Sequence, residues 1–409
     1  MAGIDMELDW REGNQVTLLR NGDQFFPAVC QAVDAARYQV HLETYIFNLD
    51  DSGHCVLDAL ARAIARGVRV RVVIDGFGCL ETADVLCERL AAMGARFRVY
   101  RPERGGLGFV RFNLRRLRRL HRKTLVVDHR VAFVGGINIL DDFVDIPDSG
   151  DDARPRFDFA VRLQGPIVTD VSRAQRGLWL RMSWRRRDDW SAFYRRLKRW
   201  RDWRQRRVKW EQPVHDPGVR AVLLLRDNLR YRQTIENAYL ATMNEAAADI
   251  LVANAYFFPG RRLRKALVAA AHRGVRVRLL LQGRSEYPMQ YRACRYTYER
   301  LLEEGIEIYE YMASYLHAKV AVIDDYAMVG SSNMDPFSLL LAREANVYVH
   351  DADFAAGLRA AIEKEMADNA VPVTREYLHK RSWLQRLWDG LAYLMLRAGV
   401  AVTGRASEY

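Results

Sequence analysis

Hydrophobic and polar positions recur along this chain in the same order twice. Residues 66–75 read RGVRVRVVID and residues 273–282 read RGVRVRLLLQ. Ahead of each run, apolar residues fall at helical spacing: Val56, Leu60 and Ile64 in one copy, Leu263, Leu267 and Ala270 in the other. Gly67 and Gly274 follow as helix stops. Valine then alternates with arginine, the period of a strand with one face inward. Upstream, HLETYIF (41–47) matches VANAYFF (252–258), with Tyr45 against Tyr256. Downstream, GARFRVY (94–100) matches GIEIYEY (305–311). Strand, helix, strand, helix, strand predicts an α/β sheet in each half. Two copies make this a duplication rather than a solenoid.

Each half then closes on a chemically distinctive string. Residues 121–128 are HRKTLVVD and residues 317–324 are HAKVAVID, both H-x-K-x4-D. A glycine turn and an asparagine follow each, ending at Asn138 and Asn333. With 9 His, 7 Lys and 31 Asp in the chain, chance would supply roughly 0.01 such matches, so two at equivalent places are not accidental. Arginine outnumbers lysine 56 to 7, yet both motif cations are lysine. A compact ammonium fits a phosphate oxygen beside a reacting histidine better than a forked guanidinium.

Residues i and i+2 of a strand share a face, so His121 and Lys123 point one way, as do His317 and Lys319. If the halves pack about a pseudo-two-fold axis, two imidazoles and two ammoniums converge on one phosphodiester. One histidine attacks phosphorus and the other protonates the leaving oxygen. Lysines, asparagines and Ser331 would steady the phosphoryl charge. A nucleophilic histidine needs its other nitrogen held, usually by a carboxylate. Asp158, downstream of His121, and Glu344, downstream of His317, are candidates; surface ion pairs are the alternative for both. The chemistry needs no metal or cofactor, and no metal-ligand cluster is visible in the sequence.

Composition narrows the partner. The chain has 409 residues, enough for two domains. Its net charge of +12 favours an anionic partner, nucleic acid or anionic lipid. Five cysteines without a C-x-x-C pair are read as reduced thiols in a cytosolic setting. No secretory signal and no run of about 20 apolar residues is seen, so no membrane span is expected. Residues 179–210 hold 13 Arg or Lys against three Asp, and six of the nine tryptophans. Within them Trp190, Phe193, Leu197, Trp200 and Trp203 make one helical face among basic residues, fit for an anionic bilayer or for packing on a domain. The basic run 111–123 is read as a headgroup holder or a solvated charge run. Residues 383–402, interrupted by Arg386, Asp389 and Arg397, are read as a surface-lying or core-packed helix.

The motifs resemble those of the phospholipase D superfamily over nearly the whole chain. Within it the sequence is most similar to the bacterial cardiolipin synthase B branch. The strings WREGN (10–14), LHRK (120–123), GPIV (165–168), ANAYFFPG (253–260), GSSNMDP (330–336) and EANV (344–347) carry that likeness. The resemblance implies two α/β/α sandwich domains with one shared active site. It makes His121, Lys123, Asp128, His317, Lys319 and Asp324 the catalytic set, with His121 as nucleophile and His317 as acid. It implies a ping-pong transfer from phosphatidylglycerol to a second phosphatidylglycerol, at the cytoplasmic face of the bacterial membrane and without a span. Gly136 departs from the wider family, which often has Ser or Thr there, leaving Ser331 as the hydroxyl on offer. The expected domains are 1–170, a basic Trp-rich linker 171–215, 216–372, and a membrane-proximal tail 373–409. Competing readings are a phosphodiesterase acting on DNA, a lipid hydrolase, and a membrane-binding protein without activity. Tryptophan clustering and the two intact motifs weigh against the first and last, and no nucleic-acid partner is expected.

Overall fold

The computed structural model describes residues 8–102, 118–144, 146, 153–184, 214–227, 231–284 and 286–401. The first half carries β1 (Arg11–Arg20), β2 (Gln39–Thr44), β3 (Arg69–Asp75), β4 (Arg96–Tyr100), β5 (Lys123–Val127), β6 (Val131–Gly135) and β7 (Phe159–Gln164). The second carries β8 (Val219–Arg226), β9 (Asp249–Asn254), β10 (Arg276–Gln282), β11 (Glu307–Tyr311), β12 (Lys319–Ile323), β13 (Tyr326–Gly330), β14 (Glu344–His350) and a short β15 (Ala370–Pro372). All fifteen join one sheet in the order β15-β11-β10-β9-β12-β13-β14-β8-β1-β7-β6-β5-β2-β3-β4. Adding seven to each first-half strand number gives its second-half counterpart, so β1 and β8 meet at the pseudo-two-fold axis.

The motif strands are central for a local reason. β5 and β12 are buried along their whole length, as KTLVV and KVAVI with no charge after the lysine. Each lies antiparallel between two neighbours: β5 between β2 and β6, β12 between β9 and β13. The strands with alternating arginine pair in parallel further out, β2 with β3 and β9 with β10, and the helices Asp51–Ala65 and Arg261–His272 make the crossovers. Gly67 (φ +85°) and Gly274 (φ +89°) end those helices in the left-handed region, as the sequence pattern requires.

Each half has one apolar cluster of its own. A third draws from both halves, including Val126, Val134 and Phe159 with Leu251, Val320 and Val329. The helices Ile167–Trp184 and Ala352–Asn369 close it through Val171, Leu358 and Ile362. Phe157 stacks on Tyr311 across the halves at 5.6 Å, a pair worth about 0.5–1.5 kcal/mol beyond its buried area. The two sandwiches are therefore fused edge to edge.

One expected boundary falls inside a helix. The first half does not stop at 170, because the helix Ile167–Trp184 runs through that point with Val171 and Leu178 buried. Trp190, Phe193, Leu197, Trp200 and Trp203, like residues 111–117, lie outside the described residues. The expected tail contains a helix, Trp383–Ala401, packed by one face on the helix Pro288–Tyr296.

Candidate active site

Each motif histidine sits two residues before its strand, where two anchors pin the backbone. Within its own half, Leu120 N donates to Asp75 Oδ2 (2.7 Å) and Leu316 N to Gln282 Oε1 (2.5 Å). Asp75 and Gln282 close the equivalent strands β3 and β10. The second anchor comes from the other half: His121 N donates to Arg343 O (3.0 Å) and His317 N to Phe157 O (2.8 Å). Leu120 bridges Arg343, and Phe157 bridges Leu316. The two histidines are thus carried to the seam between the halves.

The side chains repeat the exchange. His121 Nδ1 donates to Glu344 at 3.0 and 3.1 Å, and His317 Nδ1 donates to Asp158 Oδ2 at 2.6 Å. Asp158 and Glu344 thus each hold the histidine of the opposite half, which linear order alone does not reveal. Both carboxylates are fully buried. Lys123 Nζ donates to His121 O at 2.8 Å, and Lys319 Nζ donates to His317 O. The Tyr45 ring meets His121 edge-on at 4.9 Å. Tyr256 OH donates to Glu286 at 2.5 Å.

Burial dominates the electrostatics. It lowers the His121 pKa, against the upward pull of Glu344. His317 is driven well below its ordinary value by burial and then by Lys319 and Arg156. The Lys123 ammonium is pushed down to about 7 and that of Lys319 to about 8, again chiefly by burial. Asp158 is pushed up to about 7 by burial, with Lys319 opposing. A buried phosphodiester would supply the negative charge this pair of ammoniums lacks.

Three sequence expectations need correction. Asp128 and Asp324 do not join the site; each lies beyond the far end of its motif strand. Asp128 accepts from the backbone N–H groups of Arg37, Tyr38 and Gln39 at 2.7–2.8 Å, and Asp324 from those of Ala247, Ala248 and Asp249 at 2.8–3.1 Å. Both stand at positive φ (50° and 49°) and tie the motif strand to the loop that feeds its neighbour. Ser331 is not free to face phosphate, because its hydroxyl donates to Glu344 Oε2 at 2.5 Å and accepts from Ala345 N at 3.1 Å. Gly136, at the matching place, has no room for a hydroxyl: an added Cβ would lie 2.3 Å from Asp158 Oδ1. The asparagines stay at the motif ends. Asn138 Oδ1 accepts from Ile46 N at 3.3 Å, and Asn333 Oδ1 is buried without a hydrogen-bond partner.

Asp75, Gln282, Arg343 and Glu286 escaped the sequence reading. Asp75 and Gln282 close the two matched ten-residue runs, so that alignment was the available signal. Among the described residues no group of three or more His, Cys, Asp or Glu is arranged to hold a metal ion.

Comparison with known proteins fits this geometry. The family described as cardiolipin synthase, phospholipase D-like domain, matches residues 29–144 and 239–366. The chain is 38% identical over 400 residues to cardiolipin synthase B of Salmonella typhimurium, covering 98% of this chain and 92% of the relative. It is 39% identical over 401 residues to cardiolipin synthase B of Escherichia coli strain K12, with the same coverage of 98% and 92%. Among solved structures, phosphatidylserine synthase of Haemophilus influenzae superposes with a TM-score of 0.66 at 13% identity, covering 97% of this chain and 96% of that one. That likeness speaks to the fold.

Proposed function

This chain belongs to the phospholipase D-like cardiolipin synthase family, and from that membership we propose that it transfers a phosphatidyl group between two phosphatidylglycerol molecules. The products are cardiolipin and glycerol. The observation that carries the catalytic reading is the crossed pairing of His121 with Glu344 and His317 with Asp158. It engages both Nδ1 atoms and leaves both Nε2 atoms for one phosphodiester.

The two histidines then take different parts. His121 is held neutral by burial, with its proton on Nδ1 and donated to Glu344, so Nε2 carries a lone pair and attacks phosphorus. The bond from phosphorus to the glycerol headgroup oxygen breaks as His317 Nε2 gives that oxygen its proton. A 2.6 Å contact with a carboxyl raised to about 7 supports the acid role. The pair keeps or loses one proton near neutrality, whichever partner nominally holds it. In the second step His317 takes the proton of the acceptor hydroxyl, that oxygen attacks phosphorus, and the bond to His121 breaks. Lys123 and Lys319 gain charge as the phosphate enters and offset the charge on the phosphoryl oxygens. Asn138 and Asn333, at the motif ends, complete the phosphate cradle.

The substrate is a bilayer lipid, and among the described residues no helix is long and apolar enough to cross a membrane. We place the enzyme on the cytoplasmic face, held peripherally. The test is incubation of purified protein with headgroup-labelled phosphatidylglycerol. Cardiolipin and free glycerol in equal amounts are expected. Phosphatidic acid as the sole lipid product would make it a hydrolase, and plasmid cleavage without lipid turnover would make it a nuclease.

A further inference from the structure

The helix Trp383–Ala401 is buried on one side and bare on the other. Asp389, Ala392, Leu396 and Val400 form its inner face, and the last three pack with Ala293, Phe258 and Leu341. Its outer face shows Trp383 at 72% exposure, Leu387 at 60%, Trp388 at 56%, Leu394 at 61% and Met395 at 56%, with Leu384 and Leu391 between them. At 100° per residue these seven span an arc of about 140°, opposite the buried arc. A stripe of that width normally faces a core, and an exposed apolar patch of this kind marks an interaction surface.

Charge identifies the partner. From Arg375 to Arg397 the chain has five basic residues and two acidic ones, and Asp389 is buried against Arg381 at 2.6 Å. A cleft of about 690 Å³ between this helix and Pro288–Tyr296 is lined by Arg292, Arg295, Lys380 and Arg381, with Asp389. A second copy of the chain would set cation against cation. An anionic bilayer offers apolar depth for the tryptophans and phosphates for the rim.

Position agrees. The helix Pro288–Tyr296 starts beside Tyr287, whose ring lies 5.7 Å from that of Tyr256. Next to Tyr256, Ala255 N donates to Ala318 O (2.9 Å), between His317 and Lys319. The helix that carries the bare face is therefore one helix away from the rim of the active site.

We propose that the outer face of Trp383–Ala401 seats the protein on an anionic bilayer, with lipid phosphates in the adjoining basic cleft. Arg386, Asp389 and Arg397 make it lie in the interface rather than cross it. The proposal rests on the lipid-transfer reading only in supplying that reaction with substrate.

The experiment uses the full chain in three forms: wild type, Leu387→Ser/Trp388→Ser, and Lys380→Ala/Arg397→Ala. Flotation is measured with phosphatidylcholine vesicles and with mixed phosphatidylglycerol–phosphatidylcholine vesicles. Transfer is measured on detergent-dispersed phosphatidylglycerol, and mass by light scattering. The apolar variant should float at least about tenfold less on both vesicle types. The charge variant should lose its preference for the anionic vesicles, and all three should transfer equally in detergent. Wild-type flotation by the apolar variant would overturn the proposal. So would a fall from dimer to monomer with flotation kept, which would make a second copy the occupant. Flotation as expected with no transfer in detergent would leave the docking face standing and remove the enzymatic reading.

Discussion

In the first half, Phe159 N donates directly to Asp158 Oδ1 (2.8 Å), and the carboxylate lies against Gly136. At the same place in the second half, Ala345 N donates to the Ser331 hydroxyl, and that hydroxyl donates to Glu344. One side uses a short carboxylate over a glycine; the other uses a longer carboxylate with a serine between it and the backbone. The second arrangement has three more side-chain heavy atoms, and its wiring differs. The difference teaches that duplicated motifs need not be equivalent. The half with Asp158 grips His317 at 2.6 Å, and the half with Ser331 and Glu344 holds His121, whose pKa burial lowers, at 3.0 Å. Each half sets the chemistry of the other half's histidine.

Removing the histidines gives the largest effects. His121→Ala and His317→Ala should each reduce cardiolipin formation about 10³–10⁴-fold, read by lipid chromatography. A phosphatidyl p-nitrophenyl ester, whose leaving group needs no proton, separates them. His317→Ala should still release p-nitrophenol in a first turnover, and His121→Ala should not. Equal loss with that ester would erase the difference between the halves.

The carboxylates come next, and they should act across the seam. Asp158→Asn should behave like a mild His317 variant, slowing lipid transfer about 10²-fold but barely touching the nitrophenyl ester. Glu344→Gln should slow both. In wild type, kcat/KM should fall as pH rises through about 7 to 8, as the His317–Asp158 pair and the two lysines lose protons. Asp158→Asn should change that alkaline limb, while Glu344→Gln should leave it in place.

Smaller effects follow from the backbone wiring. Ser331→Gly removes one hydrogen bond to a buried carboxylate, about 0.5–1.5 kcal/mol, so activity should drop by up to about tenfold. Gly136→Ser should be worse, at about 1–3 kcal/mol of crowding against Asp158. Adding Asp158→Glu to Gly136→Ser reproduces the second-half arrangement and should recover part of the loss. No recovery would mean that the two wirings are not interchangeable.

Asp128→Asn and Asp324→Asn should affect activity least. Each should lower stability by about 1–3 kcal/mol with turnover at low temperature within about threefold of wild type. Burial pushes Asp324 up, yet the backbone N–H groups of Ala247, Asp249 and Ala248 hold it below the ordinary aspartate value. Its contribution is therefore present above the unfolded pKa and lost as pH falls through the lower folded one. The Tm gap between wild type and Asp324→Asn should close below about pH 4.

The matched strings at 66–75 and 273–282, with the two H-x-K-x4-D runs, made the strands and the histidine–lysine pairs legible, because period and spacing are local properties. The crossed carboxylates were legible as residues but not as partners. Their contacts span 223 and 159 positions and exist only because β1 and β8 join the halves. The motif aspartates misled for the opposite reason. Recurrence beside a reacting histidine reads as chemistry, yet five strand residues carry Asp128 and Asp324 to the other end of the sheet, where backbone N–H groups await them. Ser331 looked like a phosphate ligand because its hydroxyl's partner, Glu344, is thirteen residues away on β14.

The division of roles between the halves is tested most directly by trapping. His317→Ala is mixed with a phosphatidyl p-nitrophenyl ester labelled at phosphorus, quenched in base, digested and mapped. Without His317 to take the acceptor's proton, the intermediate should persist. Close to one label per chain is expected on the peptide that carries His121. Label on any other peptide, or p-nitrophenol release with no labelled protein, would contradict a nucleophilic His121 served by Glu344 of the opposite half.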